Sequence, residues 1–337
     1  MIRVAVDAMG GDRAPAAEIA GVLQALADLP DEFVVQLVGR PDVIEAELAN
    51  HPHADRSRLE IHEAADVIGM NEKPLAAVRR KPRSSVVIGL TLQKQGRSDA
   101  FLSAGNTGAV LAASTVILGL HDGVERATVA TLFPTGSEPV LVLDGGANLD
   151  CSARELVGFA YLGTVYMRDI MGRANPVVGL LNVGEEEEKG TAVVREAHQL
   201  LKQSPRLTYT GNVEGRDILP GPQRRTHVDV VVCDGFVGNI VLKFYESAGR
   251  LFVAMLTERA PDVLDRPALR ELVGLLDYSS YGGAPLLGVR GVSIICHGSS
   301  SPNAIRNGIR VALQAVTAGL NAHIAAEFAQ REPAASS

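Results

Sequence analysis

The stretch VAVDAMGGDRAP, from Val4 to Pro15, decides how the first element of the chain is interpreted. Apolar residues lead into Asp7, and two glycines follow before a second acid, Asp12. The spacing does not match G-x-G-x-x-G, and no G-K-[ST] follows, so it indicates neither a dinucleotide-binding turn nor a P-loop. The pattern predicts a strand that ends in a tight glycine-containing turn with a carboxylate on each side.

Short apolar runs of the same kind recur along the chain and alternate with helical patterns. Most are apolar at nearly every residue, which is typical of strands covered on both faces in a parallel sheet. Strands are predicted at Arg3–Val6, Val34–Val38, Ala100–Leu102, Val140–Leu143, Val177–Leu181, Val228–Cys233 and Val292–Cys296. Helices are predicted at Ala16–Leu29, Gly108–Leu118, Ala153–Arg173, Gly190–Gln203 and Asn239–Thr257. The alternation predicts an α/β sandwich with a mostly parallel sheet.

Six turns at the ends of predicted strands combine small residues with Asp, Asn, Ser or His. They are DAMGGD, SAGNTGA (Ser103–Ala109), DGGANLD (Asp144–Asp150), GNVEGRD (Gly211–Asp217), CDGFVGN (Cys233–Asn239) and HGSSSPNA (His297–Ala304). Each turn alone is explained by tight-turn geometry and helix capping. Because the carboxyl ends of parallel strands share one edge of a sheet, the six turns are expected to converge on one cleft. Their backbone N–H groups and helix N-termini suit an anion.

Several residues in these turns are candidates for chemistry. Asp7, Asp12, Asp144 and Asp234 lack the spacing of metal ligands, so they are expected to cap helices and stabilise turns, with no bound metal. His297 stands at a strand end before three serines. It is interpreted either as a hydrogen-bonded capping residue or as a polar group at the reacting centre.

Composition and charge exclude several classes of protein. The 337 residues carry a formal net charge of −7, which argues against nucleic acid as a general partner. Three widely spaced cysteines without a CxxC motif predict a reduced, cytoplasmic protein. The N-terminus lacks a signal-peptide pattern, and no apolar run reaches the ~18 residues that a transmembrane helix needs. The tail over residues 329–337 is expected to be disordered.

One basic cluster stands out in this acidic chain. It lies within Glu72–Ser85 and comprises Lys73, Arg79, Arg80, Lys81 and Arg83. The basic cluster is either a solvated loop or a docking surface for an acidic partner or a phosphate.

The turn motifs, together with DYSSYGGAPLLGVRG, stand in the order and spacing of the phosphate acyltransferase (PlsX) family, which the chain resembles from Ile2 to about residue 320. These enzymes are acyl-carrier-protein:phosphate transacylases of bacterial phospholipid synthesis. The resemblance implies a single three-layer α/β/α domain over residues 1–328, like that of isocitrate and isopropylmalate dehydrogenases and phosphotransacetylases. It also implies a homodimer without a metal or nucleotide cofactor.

The resemblance further implies the reaction and the partners. A long acyl chain moves from acyl-carrier protein to inorganic phosphate, and a membrane glycerol-phosphate acyltransferase consumes the acyl phosphate. The protein is then expected to be cytoplasmic, with peripheral contact to the membrane or to that membrane enzyme. Phosphate is itself the nucleophile, so no side-chain nucleophile is needed. Accordingly, Cys233 and Cys296 are expected to be small buried side chains, and no G-x-S-x-G elbow is present.

Site residues are assigned on this basis. The catalytic candidates are His297, Asn106 and Asn239. The candidates for binding phosphate or substrate are Ser103, Gly105, Thr107, Asp144, Asn148, Asp234, Gly235, Gly238, Lys243 and Ser299. Docking of the carrier protein is assigned to Lys73, Arg79 and Lys81.

Residues 251–276 are predicted to form two helices with an apolar stripe. The stripe faces either the core or a dimer partner, or the two helices protrude as a hairpin whose tip, with Val263 and Leu264, contacts the membrane. Alternatives to the acyltransferase are a β-decarboxylating dehydrogenase, a short-chain phosphotransacetylase that uses acyl-CoA, and a non-catalytic membrane-associated scaffold of lipid synthesis. The first needs a metal-binding acid set that the chain does not convincingly supply. Assays with acyl-CoA and acyl-carrier protein distinguish the second.

Overall fold

The computed structural model describes residues 1–30, 32–135, 138–219, 227–260, 266, 269 and 282–330. Contacts divide the chain into two units, Met1–Ala127 with Tyr281–Ser337, and Thr128–Ser280. The single domain over 1–328 stays a prediction. Most of the segment 251–276, including Val263 and Leu264, lies outside the described residues, as does 331–337 of the tail.

Helices and strands alternate along both units. The first unit begins with β1 (Ile2–Asp7), α1 (Ala16–Asp28), β2 (Phe33–Gly39), α2 (Pro41–Leu48), β3 (Leu59–Glu63), α3 (Pro74–Arg80), α4 (Ser85–Lys94), β4 (Ala100–Ser103) and α5 (Thr107–Ile117). The second contains β5 (Thr128–Val129), β6 (Thr131–Phe133), β7 (Val140–Leu143), α6 (Ala153–Asp169), β8 (Val177–Leu181), α7 (Ala192–Lys202), β9 (Thr208–Val213), a 3₁₀ turn (Gly215–Asp217), β10 (Val230–Val232) and α8 (Gly235–Arg259). The first unit resumes with β11 (Ala284–Leu287), β12 (Val292–Ile295), α9 (Pro302–Thr317) and α10 (Leu320–Ala329).

Six strands of the first unit lie in the order β3-β2-β1-β4-β12-β11. All neighbours in this order are parallel except β11 and β12. The chain runs from β1 to β2 on one side and places β4 on the other, so the strand order reverses between β1 and β4. Ligands of open α/β sheets bind outside the carboxyl ends of strands at such a point.

Helices cover both faces of this sheet. Gly89 of α4 lies against Phe101, whereas Gly308 of α9 lies against Leu102. Consecutive strand residues point to opposite faces, so α4 and α9 form the two outer layers. The strands between them are buried and apolar, which explains their nearly continuous hydrophobic sequences.

The second unit repeats this layering around the strand order β6-β7-β10-β8-β9. Only β6 is antiparallel to its neighbour. Gly163 of α6 packs on Val230, while Val231 belongs to an apolar cluster with Tyr245 of α8. Because Val230 and Val231 point to opposite faces, α6 and α8 cover opposite sides of the sheet.

The predicted α/β fold is confirmed, with its mostly parallel strands divided between two sheets. All seven predicted strands are present to within three residues at each end. The helix expected from Asn239 begins instead at Gly235, because the Asp234 carboxylate caps it by accepting a hydrogen bond from the Val237 N–H at 2.8 Å. Five further helices, α2, α3, α4, α9 and α10, were not among the helices predicted from the sequence. Among the described residues, no helix has the length and apolar character to cross a membrane.

Candidate active site

The turn after β1 rests on the buried carboxylate of Asp7. Its Oδ1 accepts a hydrogen bond from the Met9 N–H at 3.0 Å, and its Oδ2 accepts one from the Ser103 hydroxyl at 2.7 Å. The Ser103 oxygen in turn accepts from the Gly105 N–H at 3.0 Å. A Cβ on Gly10 would lie 2.4 Å from Asp7 Oδ2, so glycine lets the backbone lie directly on the carboxylate. Burial raises the pKa of Asp7, and its hydrogen bonds oppose that rise.

A second buried carboxyl lies under the next residue. Glu18, in the first turn of α1, is 1% exposed, and its Oε1 would be 2.3 Å from a Cβ on Gly11. Gly11 has φ +130°, which a side chain would strain. The other oxygen, Oε2, is buried without a hydrogen-bond partner among the described residues. Burial raises the pKa of Glu18 to about 7; the charges of Asp7 and Asp12 add to the rise, and Arg13 opposes it.

The turn after β12 is hydrogen bonded to the turn after β1. The Asp12 N–H donates to the Gly298 carbonyl at 2.8 Å, and the Arg13 guanidinium donates to the Ser300 carbonyl at 2.8 Å. A Cβ on Gly10 would also lie 2.8 Å from the Gly105 nitrogen, in the turn after β4. The turns after β1, β4 and β12 are therefore adjacent, and together they are called the first turn cluster.

His297 projects from this cluster as an exposed side chain. Its Nδ1 lies 2.8 Å from the Ser299 hydroxyl oxygen and accepts a hydrogen bond from the Ser299 N–H at 3.2 Å. Because Nδ1 acts as an acceptor, the neutral ring carries its proton on Nε2. An Nε2–H group is a donor suited to a carbonyl oxygen or a departing thiolate.

Asn106 uses its whole side chain within the protein. Its Oδ1 caps α5 by accepting from the Ala109 N–H at 3.1 Å. Its Nδ2 donates to the carbonyls of Gly69 (3.3 Å), Met70 (2.9 Å) and Glu72 (3.1 Å). The side chain thus fastens the segment before α3 to the start of α5. Its assignment as a catalytic donor stays a prediction, although this geometry favours a positioning role.

The first turn of α5 offers backbone donors instead. The N–H groups of Thr107 and Gly108 have no acceptor among the described residues, as expected for the first turn of a helix. Thr107 is exposed, and Gly108 lies against Pro74 of α3. An anion at this helix end would also be favoured by the helix dipole.

The turn after β7, in the second unit, is organised around the buried Asp144. Oδ1 accepts from the N–H groups of Val129, Gly146 and Ala147, each at 3.1 Å. Oδ2 accepts from the backbone N–H of Asn148 at 2.7 Å and from its side-chain amide at 2.6 Å. Burial raises the pKa of Asp144 above its ordinary value, and the hydrogen bonds from Ala147, Val129 and Asn148 oppose that rise. The Asp144 carboxyl group therefore accepts hydrogen bonds from the N–H groups of its own turn, and these donors are not available to a ligand.

The start of α8 packs closely on this turn. The Gly235 N–H donates to the Asn148 carbonyl at 2.7 Å. A Cβ on Gly238 would lie 1.9 Å from the Asp144 carbonyl oxygen, so the helix can approach only because this residue is glycine. Asn239 and Lys243 lie further along α8 and are exposed. This arrangement, with Asp234 as the cap, is called the second turn cluster.

Neither buried thiol is placed as a nucleophile. Cys233 and Cys296 are buried, and burial raises the pKa of both thiols, so neither forms a thiolate near neutral pH. Within the described ranges, no three His, Cys, Asp or Glu side chains are grouped as metal ligands.

The basic cluster divides into two kinds of residue. Lys73 and Arg79 are exposed at the ends of α3. Lys81 instead donates to the Val67 carbonyl at 2.6 Å and pairs with Glu72, and its ammonium group holds the pKa of Glu72 below the ordinary value. Lys81 is therefore engaged in holding the segment before α3, while Lys73 and Arg79 present their charge to solvent.

The family model described as "Fatty acid synthesis protein" matches residues 2–323. A phosphate acyltransferase from Heliobacterium modesticaldum is 47% identical over 323 residues, covering 94% of both chains. A phosphate acyltransferase from Nostoc punctiforme is 44% identical, covering 94% of this chain and 93% of the relative. The chain belongs to the phosphate acyltransferase family. It is accordingly an enzyme, as the turn motifs indicated.

Solved structures of other enzymes share the fold of this acyltransferase. A phosphotransacetylase from Streptococcus pyogenes superposes with a TM-score of 0.64 at 17% identity, covering 94% of both chains. A 4-hydroxythreonine-4-phosphate dehydrogenase from Klebsiella pneumoniae superposes with a TM-score of 0.54 at 13% identity, covering 94% of this chain and 98% of the other. At these identities the likeness concerns the fold alone, and it confirms the fold expected from the resemblance.

Sequence reasoning missed Glu18, the second buried carboxyl of the acyltransferase's first turn cluster. An acid in the first turn of a helix is ordinarily explained by the helix dipole and solvent exposure. The available signal was the glycine pair itself, because consecutive glycines before a helix allow side chains to pack directly under the backbone. The predicted site residues fall into the two clusters: Ser103, Gly105, Asn106, Thr107, His297 and Ser299 in the first, and Asp144, Asn148, Asp234, Gly235, Gly238, Asn239 and Lys243 in or beside the second.

Proposed function

We propose that the enzyme transfers a long-chain fatty acyl group from acyl-carrier protein to inorganic phosphate. The observation that carries this proposal is the 47% identity, over 94% of the chain, to a protein named phosphate acyltransferase. The family description, fatty acid synthesis protein, supports a fatty acyl donor. A carrier-protein thioester is the form of that donor that the basic cluster would suit.

The chemistry needs no protein nucleophile. A phosphate oxygen attacks the thioester carbonyl carbon, the carbon–sulfur bond breaks, and the phosphate proton ends on the released thiol. The protein must hold phosphate beside the carbonyl and stabilise the tetrahedral oxyanion. The raised pKa values of the buried thiols of Cys233 and Cys296 are consistent with direct attack by phosphate.

We place phosphate at the first turn of α5, where the Thr107 and Gly108 N–H groups have no acceptor among the described residues. His297, with its proton on Nε2, is assigned to the carbonyl oxygen or the departing thiolate. In the second turn cluster, the backbone donors already serve Asp144, so that carboxylate is assigned to holding the turn. The exposed side chains of Asn239 and Lys243 are the substrate contacts proposed for that unit.

The carrier protein is proposed to dock on Lys73 and Arg79. Carrier proteins are acidic and this chain has a net charge of −7, so productive encounter requires a local positive surface. Asn106 ties the segment before α3 to α5, so a carrier on α3 lies beside the proposed phosphate. Arg79→Glu should raise KM for acyl-carrier protein several-fold and leave KM for phosphate unchanged. It should also weaken the dependence of the carrier-protein KM on salt concentration. Arg97→Glu, which reverses an exposed charge at the amino end of β4, is the control; equal effects of both would refute this docking site.

One exposed side of α8 is proposed to form a homodimer interface. Phe236, Ile240, Phe244, Leu251 and Met255 are 46–74% exposed. Their spacing places them along one side of the helix, and exposed apolar patches of this kind mark association surfaces. Sedimentation velocity should give a dimer for the wild type and a monomer for Phe244→Glu. A dimeric Phe244→Glu protein would assign the interface elsewhere.

Peripheral membrane contact is also proposed, either directly or through the membrane acyltransferase that consumes the product. A long-chain acyl phosphate is an amphiphile, so delivery at a membrane surface avoids its release into water. Flotation with liposomes should carry the wild type upward and lose a Val263→Glu/Leu264→Glu variant. Equal flotation of both proteins would exclude the tip of the predicted hairpin as the contact.

The reaction itself is tested with purified protein, phosphate and three donors: palmitoyl-carrier protein, palmitoyl-CoA and acetyl-CoA. Acyl phosphate is trapped with hydroxylamine and quantified as the hydroxamate. We expect phosphate-dependent product, with the highest kcat/KM for the carrier-protein donor. Preference for acetyl-CoA would support the short-chain phosphotransacetylase instead. No product from any donor, with a folded protein, would support the scaffold.

A further inference from the structure

The two glycines after β1 lie over two buried carboxyls. Gly10 would place a Cβ 2.4 Å from Asp7 Oδ2, and Gly11 would place one 2.3 Å from Glu18 Oε1. Asp7 and Glu18 are each 1% exposed. Asp7 has the Ser103 hydroxyl and the Met9 N–H as donors, whereas Glu18 Oε2 has no partner among the described residues. Of the two carboxyls, Glu18 therefore has the less complete stabilisation of its charged form.

The surroundings of Glu18 are predominantly acidic. The titratable and charged groups that face it are Asp7 on β1, Asp12 and Arg13 in the following turn, and the Cys296 thiol directly after β12. Arg13, the cation among them, already donates to the carbonyl of Ser300. A dianion bound over this turn adds further negative charge near a carboxyl that is shielded from water, where like charges interact strongly.

We propose that Glu18 is a positioning residue that takes up a proton when phosphate binds at the first turn cluster. The inference rests on the proposed function, because it takes phosphate as the ligand at the start of α5. Protonated Glu18 supports the turn without repelling the anion. Ionised Glu18 repels it through a backbone that has no side chain at Gly10 or Gly11 to separate the charges.

Two independent observations support this coupling. A Cβ on Gly10 would lie 2.8 Å from the Gly105 nitrogen, and one on Gly11 would lie 3.5 Å from the Ala104 Cβ, so the glycine pair over the two carboxyls packs on the turn that leads into α5. Burial also raises the pKa of Glu18 to about 7, so the group is half ionised at neutral pH and a bound dianion can shift its titration.

The test compares KM for phosphate in the wild type and in Glu18→Gln between about pH 6 and pH 8.5. The ionisation of phosphate changes with pH equally in both assays, so the ratio of the two KM values reports only the effect of Glu18 ionisation on KM. We expect the wild-type KM to rise relative to that of Glu18→Gln by up to about tenfold per pH unit above pH 7, as one linked proton requires, with kcat ratios constant. Glu63→Gln, at an exposed carboxyl on the last residue of β3, should follow the wild type.

The outcomes separate this inference from the proposed function. Wild type that forms no acyl phosphate at any pH would refute the function. Wild type that forms it, with a KM profile parallel to that of Glu18→Gln, would refute only the proton coupling. If Glu18→Gln fails to fold, the Ki of sulfate is measured on the wild type, because sulfate is a dianion that does not titrate in this range. A sulfate Ki that rises above pH 7 supports the coupling, and a constant Ki or no competition overturns it.

Discussion

Gly238→Ala is the sharpest single test of the second turn cluster. The added Cβ would lie 1.9 Å from the Asp144 carbonyl oxygen, although real Cβ atoms essentially never approach a neighbour within 3.0 Å. The helix or the turn must therefore move by about 1 Å, and overpacking of this kind costs about 1–3 kcal/mol. The movement also strains the Gly235 N–H to Asn148 carbonyl hydrogen bond of 2.7 Å, whose loss costs about 1 kcal/mol.

Gly249→Ala is a matched control on the same helix. A Cβ there meets nothing within 4 Å, so this variant should gain only the helix propensity of alanine, about 1 kcal/mol. Both variants share that gain, so the free energies of unfolding should differ by about 2–4 kcal/mol, with Gly238→Ala the less stable.

Urea denaturation followed by circular dichroism measures this difference. The kcat of each variant measures the effect of displacing the turn on activity. Gly238→Ala should also lose about tenfold or more in kcat, because a displacement of about 1 Å in a positioning element is enough for such a loss. Equal urea midpoints for the two variants would refute the close approach of α8 to Asp144.

Three further predictions concern the first turn cluster. The pKa of Glu18 rises from 4.5 in the unfolded chain to about 7 in the folded protein, so the free energy of unfolding of the wild type should fall as pH rises through that interval. Glu18→Gln should remove up to about 3 kcal/mol of this pH dependence. An equal change in the free energy of unfolding of both proteins between pH 5 and pH 8 would contradict this. Asn106→Ala should lower the free energy of unfolding by about 2–3 kcal/mol, because it removes both the helix cap and the amide donors. Asn106→Asp should restore the cap but not the amide donors, so it should lose less. Equal losses for the two variants in urea titrations would show that the cap contributes nothing. His297→Gln should reduce kcat by up to about 10²-fold without changing the melting temperature, because the side chain is exposed; unchanged turnover would remove it from the mechanism.

The boundary of α8 shows how far local sequence reasoning reached. Asp234 was predicted to cap a helix, and its carboxylate does so by accepting from the Val237 N–H. The helix start at Gly235 then follows from chemistry within four residues of the chain. Apolar periodicity had placed the start at Asn239, because the first turn of α8 is rich in glycine and resembles the preceding turn.

Asn106 shows where local reasoning stopped. Its position before α5 identifies a cap, and the cap is present. Its amide, however, donates to carbonyls between 34 and 37 residues away in the chain. No local sequence pattern indicates that the Asn106 amide already donates to other groups of the protein. The sequence alone therefore predicts Asn106 as a donor to an oxyanion.

The sequence by itself determined the alternation of buried strands and helices, the glycine, aspartate and asparagine turns at their ends, and the likeness to the phosphate acyltransferases. These features depend on residue type and short-range spacing, which a chain carries without folding. Only the tertiary structure decided which polar groups are consumed internally and which are left for a substrate. Parallel strands are joined through long crossovers, so the Ser103 hydroxyl at the end of β4 meets Asp7 at the end of β1, and the Asp12 N–H meets the Gly298 carbonyl in the turn after β12. Burial then follows from packing between distant elements, and burial is what raises the pKa of Glu18 and makes the glycine pair necessary.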